Sequence, residues 1–312
     1  MSPTFSIILP VYNVERYIER SILSCLSQDY TDYEIIIVDD CGSDHSIDIA
    51  IEMSKEDKRI KIVRHNKNLG TFHARKTGVL NAVGKYIVFL DPDDELSEKT
   101  LSSIYKKINF DPDIFLFGVT HIPTKKSSCD TVVLSGNESR EKFIEIIIDK
   151  KVGMGTAGKA FKRNFLCDLY NLINFSKEQR LIYGEDKLLM ANALLYAGKV
   201  YSVEYKGYMY HKNDTSITNV TNSKEQELYK INQLNTMIDY LKTMKNENYI
   251  DDKILKYFYK DLQGDVIRLK IFQSDNFILN IRYYLNVFLI RKTFNSFVKI
   301  FIYILSFGFL KV

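Results

Sequence analysis

Short β-branched runs, separated by helix-like segments, dominate the first 120 residues of the chain. The runs begin at Phe5, Glu34, Arg59, Lys85 and Asp113, so their starts lie 29, 25, 26 and 28 residues apart. Strands that alternate with helices at this spacing are typical of βαβ units and of a mostly parallel sheet. The pattern therefore predicts an α/β domain in which helices flank the sheet.

The segments between these runs carry apolar residues at helical spacing. The first two segments place on one face, respectively, Ile18, Ile22, Cys25 and Leu26, and Ile47, Ala50 and Ile51. A further helix is expected after the fourth run, with Ser97 as its N-cap residue. This segment has Thr100 at the third position and not Glu, so no capping box is predicted.

The regular alternation ends at about Cys129. Beyond it, the chain is predicted to form helices from Ser139 and Gly184, a strand from Lys199, and helices from about Ser223 to the end. We therefore expect one α/β domain at 1–220, made of a regular half at 1–120 and a less regular half at 121–220. A helical C-terminal extension is expected at 221–312.

Composition narrows the class of protein. The chain has 312 residues, of which 46% are hydrophobic and 26% charged, and these are values of a globular protein. A net charge of +4 gives no reason to expect a nucleic-acid partner. The four cysteines have neither metal-ligand nor redox spacing, and no signal peptide or spanning segment is recognised. We therefore expect a cytoplasmic protein.

The C-terminal segment 276–312 is apolar and aromatic, and it carries five basic residues and no acid. One interpretation is a pair of helices packed on the domain or in a homodimer. The other is an interfacial helix that holds the protein peripherally at an anionic membrane, on the inner face of the cytoplasmic membrane. Both interpretations stay open at this stage.

Polar and aromatic side chains follow four of the predicted strands. In open α/β sheets, ligands bind outside the carboxyl ends of the strands. The residues in question are Pro10, Tyr12 and Asn13 after the first run, Asp39 and Asp40 after the second, Arg75 after the third, and Asp91, Asp93 and Asp94 after the fourth. Each alone has an ordinary structural explanation, such as a turn at "DDCGSD". Together, at one edge of one sheet, they predict a ligand site.

These residue types suit a nucleotide. A base can stack on Tyr12, and a carboxylate such as Asp40 can accept a hydrogen bond from the ring N–H of uracil. Asp91 and Asp93 are hard oxygen ligands that suit Mg²⁺ or Mn²⁺, which usually share their shell with substrate phosphates. Neither a Walker A sequence nor G-x-G-x-x-G is present, so a glycine-rich loop is not expected to hold the phosphates.

Three segments carry a family resemblance: "SIILPVYNVERYIERSILSCLSQDYTDYEIIIVDDCGSD", "NKNLGTFHARKTGV" and "GKYIVFLDPDD". They resemble family 2 of the GT-A-fold inverting glycosyltransferases, and in particular bacterial lipooligosaccharide β-1,3-galactosyltransferases of Campylobacter type. The resemblance implies a GT-A fold, which is Rossmann-like, and a UDP-sugar donor. It makes 1–220 the catalytic domain, with a donor half at 1–120 and an acceptor half at 121–220. It also implies that Tyr12 and Asp40 hold uracil, that Arg75 lies near the nucleotide, and that Asp93 binds the metal while Asp91 contacts ribose or metal.

The resemblance extends to the acceptor side. It implies that the pair Glu185 and Asp186, at the start of a predicted helix, supplies the general base that deprotonates the acceptor hydroxyl. We favour Asp186, with Glu185 as the alternative. His211, in the loop after the last strand, is a further candidate metal ligand, although a lone His is more often structural. Lys159 is expected near the diphosphate.

The resemblance thus implies a metal-dependent transferase that moves a hexose, best galactose, from a UDP-sugar to a lipooligosaccharide or related surface glycan, as a β-1,3 linkage to GalNAc. Transfer of GlcNAc, GalNAc or glucose to capsule or O-antigen is an alternative. A nucleotidyltransferase and a glycosidase fit the motifs less well. A non-catalytic, membrane-associated partner in glycan assembly is the alternative from another class.

Overall fold

The strands of the described residues belong to one sheet. The computed structural model describes residues 2–123, 136–148, 153–213, 223–244, 249–274, 276–291, 294–306 and 311. Its strands are β1 Phe5–Val11, β2 Tyr33–Asp39, β3 Ile60–Arg64, β4 Tyr86–Phe89, β5 Glu95–Leu96, β6 Ile114–Ile122, β7 Gly136–Glu138, β8 Lys159–Lys162 and β9 Val200–His211. All five predicted runs are therefore strands.

The sheet has the order β3-β2-β1-β4-β8-β6-β9-β5, and β7 pairs with β9. Strands β1 to β4 are parallel, as are β6 and β9, whereas β8 is antiparallel to both β4 and β6. The carboxyl ends of β3, β2, β1 and β4 consequently meet at one edge. The predicted α/β class with a mostly parallel sheet is confirmed.

The sheet is central because its first strands are apolar on both faces. Every residue of β1 and β4 is buried, as is every residue of β2 except the terminal Asp39. Strands buried on both faces need helices on each side. The helices of this part of the chain are α1 Ile18–Leu26, α2 Ser46–Glu56, α3 Thr71–Asn81, α4 Thr100–Tyr105, α5 Arg140–Ile148, α6 Arg163–Leu172 and α7 Glu185–Tyr196.

Helix α3 packs closely on β1 because Gly78 carries no side chain. A Cβ atom at this position would lie 2.4 Å from Ile8 Cγ2, well inside contact distance. This close packing places the preceding turn of α3, which carries Arg75, over the carboxyl ends of the strands.

Some details differ from the sequence prediction, which also did not include β5, β7 and α6. Ser97 does not cap α4: the helix follows Lys99, and the Ser97 hydroxyl donates to the carbonyl of Lys206. Strand β8 was not predicted, since four residues with a buried lysine do not show a strand pattern. Its insertion separates β6 from β4, although the two runs follow each other in the sequence.

The described residues form two compact units, 1–214 and 215–312. The predicted boundary near residue 220 lies outside the described residues. The second unit contains α8 Lys224–Thr243, α9 Tyr249–Gln273, α10 Phe277–Arg291 and α11 Phe294–Leu305. Ser223 begins α8 with a capping box that involves Gln226. Among the helices described, none combines the length and the apolar character that crossing a membrane requires.

Helices α10 and α11 pack on α9 through a small core of their own. Its buried members are Ile271, Tyr284, Ile300 and Tyr303. The Tyr303 hydroxyl accepts a hydrogen bond from Asn280 Nδ2 at 3.0 Å. The tail is thus a folded helix pair within its own unit. This packing agrees with the helix pair of the first interpretation. It tests neither a homodimer nor a membrane partner.

Candidate active site

The end of β1 presents an exposed aromatic ring. The Tyr12 side chain is 43% exposed, so one face is available for stacking. Asn13 adopts a positive φ of 53°, and its Oδ1 accepts from Ser43 N at 2.7 Å, which ties this loop to the loop after β2. Pro10 lies inside β1 and is buried. A nucleotide contact by Pro10, Tyr12 or Asn13 stays a prediction.

The two carboxylates after β2 differ in environment. Asp39 Oδ1 accepts from Cys41 N at 2.9 Å, and its other oxygen lies 3.8 Å from Arg64 Nε. Asp40 is only 3% exposed, and its oxygens accept from the backbone N–H groups of Leu69 and Gly70, each at 2.8 Å. Asp40 therefore holds the loop that leads into α3. Its predicted role with uracil, and that of Asp39, stays a prediction.

A histidine that sequence reasoning missed completes this network. His65 Nδ1 lies 2.7 Å from Asp40 Oδ1, and His65 Nε2 lies 2.8 Å from Thr77 Oγ1 in α3. His65 is itself almost fully buried beside Asp40. The network connects the ends of β2 and β3 to α3. The position of His65 directly after a strand was the only signal in the sequence.

Arg75 joins the two halves of the predicted site. Its guanidinium is buried, with Nη2 donating to Asp91 Oδ1 at 2.6 Å and Nη1 donating to Glu185 Oε1 at 2.8 Å. Burial lowers the pKa of Arg75, but the two carboxylates outweigh burial and raise that pKa above its usual value. Residues 110 positions apart in the sequence, Arg75 and Glu185, are therefore in one ion-pair network.

Three carboxylates gather after β4, as predicted. The side chain of Asp91 is 33% exposed, and Asp93 Oδ2 accepts from Asn213 Nδ2 at 3.0 Å. Asp94 is buried and accepts from the Tyr208 hydroxyl at 2.8 Å and from His211 N at 2.7 Å. Asp94 thus fixes the end of β9 to this loop. Asn213 is a second residue that the sequence analysis missed.

The surroundings of His211 are acidic. His211 Nε2 lies 2.6 Å from Glu95 Oε1, and Arg20 Nε lies 3.1 Å from the same oxygen. The approach to Glu95 lacks hydrogen-bond geometry, so the buried Nε2 has no hydrogen-bond partner within the part of the chain that the structure describes. The Arg20 guanidinium also donates to the carbonyl of Asp93 at 2.6 Å.

A divalent cation fits the carboxylates that follow β4. Burial and the neighbouring Asp91 raise the pKa of Asp93, and burial with both neighbours raises the pKa of Asp94 to about 8. No three His, Cys, Asp or Glu side chains of the described ranges are grouped as a complete metal site. Mg²⁺ in nucleotide sites takes one or two carboxylates together with substrate phosphates. Asp91 and Asp93 meet that requirement, and His211 Nε2, which lies against Glu95, is a further candidate donor.

The acid pair of the acceptor side opens α7. Gly184 precedes the helix with a positive φ of 81°, and Glu185 and Asp186 occupy its first turn. Glu185 is buried against Arg75, and burial together with Asp186 raises its pKa to about 7. Asp186 is half-buried and stands at the helix N-terminus, where backbone N–H groups favour a negative charge. Glu185 is thus paired with Arg75, whereas Asp186 makes no ion pair with Arg75.

Lys159, expected near the diphosphate, is turned into the protein. Its side chain is 0% exposed, and Nζ donates to the carbonyl oxygens of Gly153, Gly155 and Ala157 at 2.8, 2.7 and 3.3 Å. Burial lowers the pKa of Lys159 to about 7, while Asp186 acts in the opposite direction. Three carbonyl acceptors match the three N–H donors of an ammonium and so favour the charged form.

The chain was compared with known proteins. The model of the family described as "Glycosyl transferase family 2" matches residues 6–164. An uncharacterized glycosyltransferase of Haemophilus influenzae is 44% identical over 108 residues, which are 35% of this chain and 42% of that protein. The uncharacterized glycosyltransferase EpsJ of Bacillus subtilis is 29% identical over 226 residues, 70% of this chain and 64% of that protein. The matches therefore span less than two thirds of either relative.

Solved structures share the fold. The crystal structure of S. aureus TarS 1-349 in complex with UDP-GlcNAc matches with a TM-score of 0.68 at 19% identity, over 98% of this chain and 92% of that one. At this identity the likeness shows the fold alone, which is the predicted GT-A arrangement with helices after it. Because the family model covers 159 of the 312 residues, including Tyr12, Asp40, Arg75 and Asp93, this chain belongs to glycosyl transferase family 2.

Proposed function

We propose that this protein is a metal-dependent, inverting glycosyltransferase that moves a hexose from a UDP-sugar to a hydroxyl group of a surface glycan. The observation that carries the proposal is the buried guanidinium of Arg75, which bridges Asp91 on the donor side and Glu185 on the acceptor side at 2.6 and 2.8 Å. The donor site and the acid pair Glu185–Asp186, which supplies the general base, are thus connected by one ion-pair network. Such a connection suits a single displacement between two substrates.

In this mechanism the strand ends hold the nucleotide. The uracil ring stacks on Tyr12, and Asp39 and Asp40 border the base and ribose. Asp93 and Asp91 would hold Mn²⁺ or Mg²⁺, with His211 as a further ligand, and the cation would stabilise negative charge on the diphosphate. The exposed ring of Tyr12 and the carboxylate cluster after β4 support this placement.

Asp186 takes the proton from the acceptor hydroxyl. The acceptor oxygen then bonds to the anomeric carbon from the face opposite UDP, while the bond from that carbon to the diphosphate oxygen breaks and its electron pair leaves with UDP. The configuration at the carbon is therefore inverted. Asp186 suits this role because it is partly exposed and makes no ion pair with Arg75, in contrast to Glu185.

Galactose from UDP-galactose, transferred to a terminal GalNAc of a lipooligosaccharide, is the specificity that we propose. This preference comes from the sequence resemblance alone. UDP-GlcNAc, the nucleotide sugar in the matching TarS structure, is the first alternative donor, followed by UDP-GalNAc and UDP-glucose for a capsule or O-antigen acceptor.

The proposed activity can be tested by UDP release. Purified protein is given each of the four UDP-sugars with Mn²⁺ or with EDTA, and with or without a GalNAc-terminated acceptor. We expect one donor to give acceptor-dependent UDP release with Mn²⁺, and this release to fall to background with EDTA because Asp91 and Asp93 cannot hold the diphosphate without a cation.

The metal assignment has a matched pair of variants. Asp93→Asn should weaken metal-dependent UDP binding, measured by calorimetry, by about tenfold or more because a charged ligand is lost. Glu98→Gln changes an exposed carboxylate five residues further along the chain and should leave it unchanged. Absence of UDP release with every donor would exclude the proposed activity. Normal UDP affinity in Asp93→Asn would exclude Asp93 as a metal ligand.

We also propose that α10 and α11 bind an anionic membrane surface, where a lipid-linked acceptor would be reached. Their exposed side chains include Ile278 at 78%, Leu289 at 64% and Leu305 at 75%. Residues 276–312 add five basic residues and no acid. Apolar side chains with basic neighbours are suited to the headgroup region of anionic lipid.

This surface is expected to bind vesicles that contain phosphatidylglycerol and to release them in high salt, since exposed charges are screened. Co-sedimentation measures the bound fraction. Leu289→Asp should reduce binding, whereas Leu228→Asp, at a leucine of α8 with 53% exposure, should not. Equal binding by both variants would contradict the proposal. A dimer mass by light scattering without vesicle binding would instead assign this surface to a homodimer.

A further inference from the structure

The loop that precedes β8 is held by a buried charge. The Lys159 ammonium donates to the carbonyl oxygens of Gly153, Gly155 and Ala157, which together form a carbonyl cage around it. The far end of the loop is tied to the sheet, because Phe117 N donates to the carbonyl of Gly158 at 2.8 Å. These hydrogen bonds tie loop 153–158 to Lys159 and to β6.

This loop lies against the proposed base. A Cβ atom placed on Gly155 would lie 3.3 Å from Asp186 Oδ2, so the backbone of the loop borders that carboxylate. The other oxygen, Asp186 Oδ1, accepts from Lys187 N at 2.8 Å. Gly155 thus connects the two features, since its carbonyl is held by Lys159 and its Cα faces Asp186.

A buried lysine is a costly way to fill a core position. An ammonium is expensive to remove from water unless its donors are satisfied, and an apolar side chain of similar volume often gives equal or greater stability. Here the lysine side chain is 0% exposed, and backbone carbonyls are the partners of its amino group. A role in the geometry of loop 153–158 explains the lysine better than a role in packing.

We propose that Lys159 is a positioning residue for Asp186. Its ammonium holds loop 153–158 against the Asp186 carboxylate, and this contact keeps the carboxylate directed at the acceptor hydroxyl. The inference rests on the proposed function, in which Asp186 is the base. It assigns Lys159 to the acceptor step and not to binding of the diphosphate.

Two variants test the contact from opposite sides. Lys159→Met removes the ammonium and should lower kcat by about tenfold to a hundredfold, because small displacements of a reacting group have effects of this size. Gly155→Ala keeps Lys159 but presses a methyl group on Asp186, and we expect a decrease of about tenfold. In both variants the KM for the UDP-sugar and the calorimetric affinity for UDP should stay within about twofold of wild type.

Each variant has a control in the same region. Lys162→Met makes the same change at the other end of β8, where the ammonium bonds Asp111 at the surface, and it should leave kcat unchanged. Gly153→Ala adds a methyl group that has no atom of the described residues within 4 Å, so its effect should be clearly smaller than that of Gly155→Ala.

The comparison of kcat with KM gives a readout that a purely structural role would not change. A residue that only stabilises the fold affects the unfolding temperature and leaves both constants of the folded protein unchanged. Displacement of Asp186 lowers kcat and leaves the KM for the UDP-sugar unchanged. Lys162→Met should keep the wild-type kcat and KM.

The outcomes separate this inference from the proposed function. If the wild-type protein releases UDP but Gly155→Ala and Gly153→Ala have equal kcat, the positioning role is wrong and the activity stands. The same conclusion holds if Lys159→Met lowers only the unfolding temperature and keeps the wild-type kcat. If Lys159→Met does not fold, the two glycine variants decide the question. If the wild-type protein releases no UDP, the proposed function itself fails.

Discussion

Asp186→Asn is expected to reduce kcat by about a hundredfold to ten-thousandfold, which is the usual contribution of a general base. Asparagine has nearly the same shape as aspartate and can occupy the same position beside Gly155. A Cβ atom added to that glycine would lie 3.3 Å from Asp186 Oδ2. It cannot accept the proton of the acceptor hydroxyl. UDP affinity should therefore stay close to wild type, as measured by calorimetry, while steady-state turnover shows the loss.

Glu185→Gln is the matched variant, one residue away in the same helix turn. Because Glu185 accepts from Arg75 at 2.8 Å, the amide should weaken this ion pair and lower stability, with a smaller effect on kcat than Asp186→Asn. The assignment would be reversed if Asp186→Asn kept normal turnover while Glu185→Gln lost it. In that case Glu185 would be the base and Asp186 would support the helix start.

Arg75→Met is expected to destabilise the fold by about 3–5 kcal/mol, the usual effect of removing one partner from a buried ion pair. The substitution leaves Glu185 buried without its cation and removes the bridge to Asp91. Turnover should fall as well, because the donor-side and acceptor-side carboxylates lose their common partner. Urea unfolding, followed by circular dichroism, measures the change in the free energy of unfolding.

The loss of stability in Arg75→Met should depend on pH. Burial already raises the pKa of Glu185 to about 7, and removal of the guanidinium raises it further. A carboxyl group with a raised pKa in the folded state lowers stability as the pH rises through that value. The variant should therefore be less destabilised at about pH 6 than at about pH 8.

Arg64→Met is a suitable control for this experiment. Arg64 is exposed and lies 3.8 Å from Asp39, so its removal should change the free energy of unfolding by about 1 kcal/mol or less. Arg75→Lys keeps the charge but cannot reach two carboxylates with a planar fork, and an intermediate loss is expected. Equal stabilities of Arg75→Met and Arg64→Met would show that the bridge does not stabilise the fold.

The sheet of the first 120 residues could be predicted because its signals are local. Strands buried on both faces appear as β-branched runs, and the even spacing of the runs indicates βαβ units. The carboxyl ends of neighbouring parallel strands lie at the same edge of a sheet. The sequence alone could therefore predict that Tyr12, Asp40 and Asp93 lie near one another.

Other parts of the site had no local signal. Strand β8 has four residues and one buried lysine, and only its pairing with β4 and β6 defines it as a strand. His65 reads as a loop residue until Asp40 and Thr77 are seen on either side of it. Asn213 follows the last strand, and its contact with Asp93 spans 120 positions.

The amino-acid sequence by itself determined the α/β class, the sheet edge that carries the candidate site residues, and the residue types after each strand. These features depend on strand propensity and periodicity, which act over a few neighbouring residues. The tertiary structure alone decided which carboxylates are paired and which remain available. Arg75 neutralises Glu185 and leaves Asp186 as the base candidate, and Lys159 turns inward to a carbonyl cage. These choices depend on distances between segments that are remote in the sequence, and such distances exist only once the sheet and its helices have packed.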